Sequence, residues 1–182
     1  YKSLRRAFGN LPVNDLNHFW EFVRLGVIFH DLGKSHPEFQ KMLLGKRANW
    51  YHQRHEMFST PFIDRLSLPE EDKLLLKLIV AGHHKDFSFL FDHIQQGYKT
   101  GEDILSLTED GKLDWEEESR KIDNQFIVSF LKEYNVSLKS DSLALPMELV
   151  KDYIRKPVNT TSINFIELLL AAGALKQCDH LA

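Results

Sequence analysis

Two pairs of metal-ligating side chains, each placed directly after an apolar segment, constrain this chain more than any other feature. His30 and Asp31 follow one apolar segment of helical periodicity, and His83 and His84 follow another. Polar side chains attached to buried helices lower stability unless partners satisfy them. The two pairs therefore predict helices whose ends meet at a shared polar site, and a bound metal ion would satisfy both pairs together.

The spacing of apolar residues is helical along nearly the whole chain, which predicts an all-α fold. Predicted helices cover residues 14–30, 37–45, 52–66, 67–82, 87–97, 125–134, 145–155 and 163–179. The last of these is almost wholly apolar through Ala174, so we expect it to be central. The stretch 99–121 is charged and poor in aliphatic residues, and we interpret it as an accessory loop or insertion.

Sequence signals at the helix ends define several of these boundaries. Asn14 and Asp15 can cap the first long helix through their side-chain oxygens, and Gly33 is a plausible stop for it. Pro37 suits the first turn of the next helix. Pro61 predicts a bend in the third helix, because a proline inside a helix removes a backbone hydrogen bond.

Length and composition suit a single domain spanning residues 1–182. The net charge of -3 provides no global basic field for nucleic acid. A single cysteine, Cys178, excludes an internal disulfide and suits a cytoplasmic location. No apolar run reaches the roughly 18 to 20 residues that a membrane helix needs. Because the chain begins at Tyr1 rather than Met, we expect the domain to be part of a longer polypeptide.

A candidate metal site is formed by six side chains, all of them imidazoles or carboxylates: His30, Asp31, His55, His83, His84 and Asp179. Such ligands suit divalent transition metal ions such as Mn, Fe, Co, Ni or Zn. A carboxylate such as that of Asp31 can bridge two ions about 3.5–4 Å apart, so one or two ions per domain are expected. Such an ion lowers the pKa of the water it binds to about 7, so hydrolysis needs no serine or cysteine nucleophile. Lys34 can place a cation beside a phosphate, which makes Asp31 and Lys34 the candidate catalytic residues.

Four stretches of sequence resemble the HD superfamily of metal phosphohydrolases, and within it the HD nuclease domain of the CRISPR type I helicase-nuclease. They are HDLGKSHPEFQKML over 30–43, RHE over 54–56, AGHHKDF over 81–87 and CDHLA over 178–182. Their order along the chain is that of the family, and the resemblance spans nearly the whole of this chain. The HD-x-G-K motif alone is moderately specific, and the later motifs raise the specificity.

The resemblance implies an HD-domain helical bundle with the metal site at its centre. The implied roles are a bridging carboxylate from Asp31, one site completed by His55, His83 and His84, and a second site that includes His30 and Asp179. The family nicks and degrades single-stranded DNA, and works with an ATP-dependent helicase domain or subunit and a guide-RNA surveillance complex. We therefore expect a metal-dependent endonuclease of CRISPR type I interference, with exonuclease activity left open.

One ligand of the family pattern is missing from this sequence. The family has a further ligand histidine on a helix well before the HD pair, whereas here only His18 precedes His30. Twelve residues of helix span about 18 Å, so His18 cannot easily share a metal ion with His30. Either the early ligand belongs to a preceding segment, or one of the two metal sites is weak.

Several residues have competing interpretations. His52 lies one helical turn from His55 and could face the site instead, although the match over 54–56 favours His55. Asp179 could be a surface acid, and Lys34 could be only a cation at a helix end. The remaining histidines of interest are interpreted as surface groups or as groups behind the ligands: His36, His93 and His180.

The same residues also suggest other functions. The sequence 33–35 resembles the end of a phosphate-binding loop, but Ile28 stands where that motif needs glycine, so we reject it. Two alternatives stay open, namely an HD phosphohydrolase acting on nucleotides and a non-catalytic HD binding module. Candidate DNA contacts are basic or aromatic: Arg5, Arg6, Lys46, Arg47, Phe39, Trp50 and Tyr51.

Overall fold

The fold is described by a computed structural model over residues 2–49, 55–84, 120–139 and 165–181. Within these four ranges the chain is helical and contains no β-strand, which confirms the all-α prediction. The α-helices are α1 (Lys2–Ala7), α2 (Leu16–Phe29), α3 (Pro37–Leu43), α4 (His55–Ser59), α5 (Glu70–Gly82), α6 (Asn124–Glu133) and α7 (Phe165–His180). Two 3-10 helices, Leu32–Ser35 and Thr60–Arg65, follow α2 and α4.

Helix α2 begins where its capping residue predicts. The Asp15 carboxylate accepts hydrogen bonds from the backbone nitrogens of Asn17 and His18, at 2.9 and 3.0 Å. Asp15 rather than Asn14 is thus the N-cap, and the Asn14 backbone nitrogen donates to the Glu167 carboxylate of α7 at 2.9 Å. The helix then buries an aromatic and aliphatic face and ends at Phe29, with His30 as its C-cap.

Helices α2, α5 and α7 pack against one another and form the centre of the molecule. Gly26 of α2 lies where the three helices come closest. A Cβ on Gly26 would be 3.1 Å from Ile79 Cδ1 of α5 and 3.6 Å from Leu175 Cδ2 of α7. Ile79 and Leu175 are both fully buried. The prediction that the last helix is central is confirmed by these contacts.

Two further helical regions, α4 with its following 3-10 helix and α6, contribute buried residues to the same core. α4 gives way to a 3-10 helix at Thr60, next to Pro61, where the sequence predicted a bend. Asp123 caps α6 by accepting a hydrogen bond from the Phe126 backbone nitrogen at 3.0 Å. α6 is tied to α2 by the Arg24 guanidinium, which donates to the Tyr134 carbonyl at 3.0 Å.

The structure corrects one boundary and leaves others outside the described residues. Gly33 is not the stop of the first long helix, since α2 ends four residues earlier and Gly33 lies inside the first 3-10 helix. The predicted helices 87–97 and 145–155, and residues 99–119 of the predicted accessory segment, fall outside the described ranges. Among the residues that the structure describes, no helix is long and apolar enough to cross a membrane.

Candidate metal centre

The C-terminal ends of α2, α5 and α7 meet at one place, and each end supplies candidate ligands. His30 is the C-cap of α2, His83 is the C-cap of α5, and Asp179 lies in the last turn of α7. These three residues lie four positions after Gly26, Ile79 and Leu175, respectively. Residues four apart share one face of a helix, so the tight packing one turn earlier brings the ligands together.

The helix ends also create an electrostatic preference. The C-terminal end of a helix carries a partial negative charge, which favours a cation and disfavours a carboxylate. Here Asp31 follows the end of α2, and Asp179 lies at the end of α7. Three such ends and two carboxylates at one place therefore favour a bound positive charge.

Helix α4 is the fourth segment that supplies a candidate ligand. His55 is the first residue of α4, which packs closely against the 3-10 helix Leu32–Ser35. Its Nε2 lies 3.1 Å from Oδ1 of Asp31. Asp31 itself has φ −110° and ψ 5°, in the sparsely populated bridge region between helix and strand that is common at active sites. The turn between α2 and the 3-10 helix thus points its carboxylate at the neighbouring imidazole.

Backbone carbonyls set the tautomers of two of the histidines. Nδ1 of His30 lies 2.8 Å from the Val27 carbonyl, and Nδ1 of His83 lies 2.6 Å from the Val80 carbonyl. A carbonyl oxygen only accepts, so each Nδ1 carries the proton and donates it. In the neutral ring the lone pair is then on Nε2, which is available to a metal ion.

Two overlapping groups of ligand atoms have the spacing of a metal site. His55, His83 and His84 offer nitrogen atoms that all lie within 4.8 Å of one another. His30, Asp31 and His83 offer a second group within the same limit. The Asp179 carboxylate reaches both groups, with Oδ1 3.4 Å from His30 Nε2 and Oδ2 4.0 Å from His84 Nδ1. All six predicted ligands thus lie together.

Three buried atoms at this site have no hydrogen-bond partner among the described residues. They are Oδ1 of Asp31, Nε2 of His55 and Nε2 of His83. His55 Nε2 and Asp31 Oδ1 are close enough for an ion pair, yet their mutual orientation does not make a hydrogen bond. Buried polar atoms are normally satisfied, and lone pairs that converge in this way fit a metal cation. The residues present are therefore a suitable ligand set for a divalent metal.

The protonation states are those that metal binding requires. Burial lowers the pKa of His83 to about 4, so its ring is neutral at pH 7. Burial also lowers the pKa of His84. For Asp31, burial alone would raise the pKa, but the neighbouring His55, Lys34 and His30 outweigh it and hold the pKa well below the usual range. A carboxylate and neutral imidazoles are the forms that bind metal ions.

One side of the cluster is open to solvent. The side chains of His84, Asp31 and Lys34 are 43%, 34% and 33% exposed. His83 is buried, and the His55 side chain is only 10% exposed, so these two residues lie on the buried side of the candidate metal site. Structural metal sites are closed by protein ligands, whereas catalytic sites keep a position open. The exposed edge thus gives a substrate a way to reach the ligands.

The other residues singled out in the sequence lie as follows. The Lys34 ammonium is paired with Oδ2 of Asp31 at 2.7 Å. His18 is exposed, and its Nε2 lies 3.3 Å from Oδ2 of Asp72. It does not join the candidate site, as its distance from His30 along α2 predicts. His36 is fully buried and caps α3, and His180 is exposed. Phe39 is buried, and the centroid of its ring lies 5.3 Å from that of His55. The prediction that Phe39 stacks on a base is therefore wrong.

Sequence reasoning missed two buried residues of α4. The Ser59 hydroxyl accepts from the Gly33 backbone nitrogen at 2.8 Å and lies 3.0 Å from the His30 carbonyl and 3.2 Å from the His55 carbonyl. It thereby joins the two backbone segments that carry His30 and His55. Glu56 is buried beside His55. Neither residue gave a signal of its own, although Glu56 lies in the 54–56 match and Ser59 lies one helical turn after His55.

Comparisons with known proteins give no assignment. No family model matches the chain, and neither the curated proteins nor the solved structures yield a significant match.

Proposed function

We propose that this chain is an HD-type helical domain that hydrolyses phosphodiester bonds with divalent metal ions, most directly in single-stranded DNA. The observation that carries the proposal is the meeting of His30, Asp31, His55, His83 and Asp179 at one partly open site. These residues come from four separate helical segments. They are also the residues that the resemblance to the HD nuclease domain of the CRISPR type I helicase-nuclease marks as ligands.

The ligand set suits one or two ions, of Mn, Fe, Co, Ni or Zn. His55, His83 and His84 would hold one ion, and His30 and Asp179 would take part in a second, with Asp31 lying next to both groups. His83 belongs to both groups of mutually close ligand atoms. Two ions bound at once would therefore have to share the His83 imidazole as well as the Asp31 carboxylate. We infer that one ion is bound strongly and a second more weakly.

Divalent ions bound at such a site activate water and neutralise the charge of a phosphoryl group. The protein residues supply the rest. Asp31 and the neutral imidazoles would hold the cations, and the C-terminal helix ends would add to the negative field around them. Lys34 is partly exposed at the open edge, where its ammonium can bind a non-bridging phosphate oxygen and stabilise developing negative charge. Asp31 and Lys34 are therefore the proposed catalytic pair.

The substrate class and partners follow from the resemblance. We propose that single-stranded DNA is presented by an ATP-dependent helicase domain or subunit, after displacement by a guide-RNA surveillance complex in the cytoplasm. The net charge of -3 supports delivery of this kind, because such a surface does not attract nucleic acid globally. Local basic residues remain for contact with the strand, and Lys46 and Arg47 are exposed just after α3.

Cleavage of circular single-stranded DNA tests this proposal. The metal-stripped protein is given Mn²⁺, Co²⁺, Ni²⁺, Fe²⁺ or Mg²⁺, and an Asp31→Ala variant is treated in parallel. A circle has no ends, so metal-dependent linearisation that Asp31→Ala abolishes demonstrates an endonuclease that depends on this site. Absence of cleavage with every metal would overturn the nuclease proposal.

Two further arms identify what stands in its place. Release of phosphate or nucleoside from mononucleotides, without cleavage of the circle, would indicate an HD phosphohydrolase acting on nucleotides. Metal binding without hydrolysis of either substrate would indicate a non-catalytic binding module.

A further inference from the structure

Glu56 is a buried acidic residue that the proposed hydrolysis does not use. It follows His55 directly in α4, and its side chain is only 4% exposed. Its Oε2 lies 3.5 Å from Nδ1 of His55. A buried carboxylate is costly unless nearby positive charge or hydrogen-bond donors compensate it. The His55 imidazole at the candidate metal centre is one neighbour that can supply such compensation.

The two nitrogens of His55 face two different carboxylates. Nδ1 faces Glu56, and Nε2 lies 3.1 Å from Oδ1 of Asp31. A proton on Nδ1 can be shared with the Glu56 carboxylate and leaves the Nε2 lone pair directed at the cluster. In the metal-free protein the two carboxylates compete for the imidazole proton, because each would repel a lone pair on the nitrogen that faces it. When a cation binds Nε2, the proton must lie on Nδ1, where the Glu56 carboxylate stabilises it.

At His30 and His83 the group beside Nδ1 is a backbone carbonyl within hydrogen-bond distance. His30 and His83 donate their Nδ1 protons to the backbone carbonyls of Val27 and Val80. At His55 the group behind the ring is a side-chain carboxylate. Metal-ligating histidines almost always donate their second nitrogen to a carboxylate, a carbonyl or water, and a carboxylate makes the ligand more basic.

The charge of Glu56 also reaches the rest of the imidazole group. The Glu56 carboxylate lies 3.5 Å from the His55 ring, and the ring centroids of His55 and His84 are 5.2 Å apart. At such distances inside a protein, a positive charge at these histidines is stabilised by the carboxylate. A divalent cation held by His55, His83 and His84 would be stabilised in the same way.

We propose that Glu56 is a positioning residue of the metal centre: it accepts the Nδ1 proton of His55, fixes Nε2 as the ligand atom and raises the affinity of the histidine group for a divalent cation. This role rests on the proposed metal centre. It predicts that Glu56 acts through His55 and does not itself bind the metal.

Titration of the metal-stripped protein with Co²⁺, followed by its visible absorption, tests this role. The Glu56→Gln variant keeps the size of the side chain and removes its charge. We expect its dissociation constant for Co²⁺ to rise about 10- to 100-fold, while the absorption bands at saturation stay those of the wild type. The matched control is Asp64→Asn, which removes the charge of another carboxylate that is only 12% exposed and is paired with Lys77. It should lower the melting temperature of the metal-free protein and leave Co²⁺ affinity unchanged.

The possible results separate the alternatives. Equal Co²⁺ affinity for Glu56→Gln and wild type would overturn the positioning role, and changed bands at saturation would make Glu56 a ligand and overturn it as well. If Glu56→Gln does not fold, Glu56→Asp is used, since it keeps the charge but draws the carboxylate away from Nδ1. Weaker Co²⁺ binding by Glu56→Asp is expected, and wild-type affinity would count against the role. Absence of Co²⁺ binding by the wild type would overturn the metal centre itself.

Discussion

Gly33 packs so closely against His55 that a Cβ on residue 33 would lie 1.8 Å from the His55 carbonyl oxygen. The same Cβ would lie 2.9 Å from Cβ of Phe58. Both neighbours belong to α4, and backbone atoms cannot move aside as the end of a flexible side chain can. The missing side chain of Gly33 therefore determines how near the turn that bears Asp31 comes to the helix that bears His55.

Gly33→Ala is expected to force these two segments apart. We expect a loss of stability of at least about 1–3 kcal/mol, the usual cost of overpacking, and weaker metal binding although every ligand is still present. Gly9→Ala is the matched control, because a Cβ on Gly9 meets nothing within 4 Å. Thermal unfolding and Co²⁺ titration of both variants provide the measurement. Wild-type values for Gly33→Ala would show that the close approach is not needed.

Ser59→Ala is expected to loosen the same contact from the other side. Without the hydroxyl, the buried Gly33 N–H loses its acceptor, and an unsatisfied buried group costs about 1–3 kcal/mol. Urea unfolding gives this free energy. Ser3→Ala, on the exposed face of α1, should change it little. If the two serine variants were equally stable, the hydroxyl of Ser59 would not hold the segments together.

Lys34→Met tests the proposed role of the ammonium at the open edge. The substitution keeps an unbranched side chain and removes the charge beside Asp31. We expect Co²⁺ to bind at least as tightly, because a competing cation is gone, while the rate of DNA cleavage falls about 100- to 1000-fold. Metal titration and cleavage rates on one preparation give both values. A parallel loss of metal affinity and rate would instead make Lys34 a support for Asp31.

The stability of the metal-free protein should depend on the protonation of His83. Its folded pKa of about 4 lies below the ordinary histidine value of 6.5, so below pH 6.5 the unfolded chain binds a proton that the folded protein excludes. Stability is therefore full above pH 6.5 and decreases as pH falls towards 4, by on the order of 3 kcal/mol. Urea unfolding in the presence of a chelator at pH 7, 6 and 5 measures the slope. His83→Gln should flatten it, and equal slopes for the two proteins would refute this prediction.

The helices and the ligand residues could be predicted because their signals are local. Asp15, Pro37 and Pro61 act on their own turns, and apolar periodicity defines α2 and α5 without knowledge of the fold. The sequence also placed His30 and His83 at helix ends, where the structure has them. That these ends meet could be expected from the cost of burying unsatisfied polar groups, and from the resemblance.

The supports of the site could not be predicted because they depend on contacts between distant segments. Gly33 has the pattern of a helix stop, and only the position of α4 shows that it provides room for a backbone carbonyl. Ser59 is an ordinary serine until its hydroxyl is seen between His30 and Gly33. Phe39 could have stacked on a base, but the packing of α3 against His55 buries it.

Metal binding by the wild-type protein and by Asp31→Ala tests the central claim most directly. Isothermal titration of the metal-stripped proteins with Co²⁺ and Mn²⁺ gives stoichiometry and affinity, and His18→Gln, on the surface away from the site, is the control. We expect one or two bound ions for wild type and His18→Gln, and a loss of at least one ion or a large loss of affinity for Asp31→Ala. Equal binding by wild type and Asp31→Ala, or no binding by either, would contradict the claim.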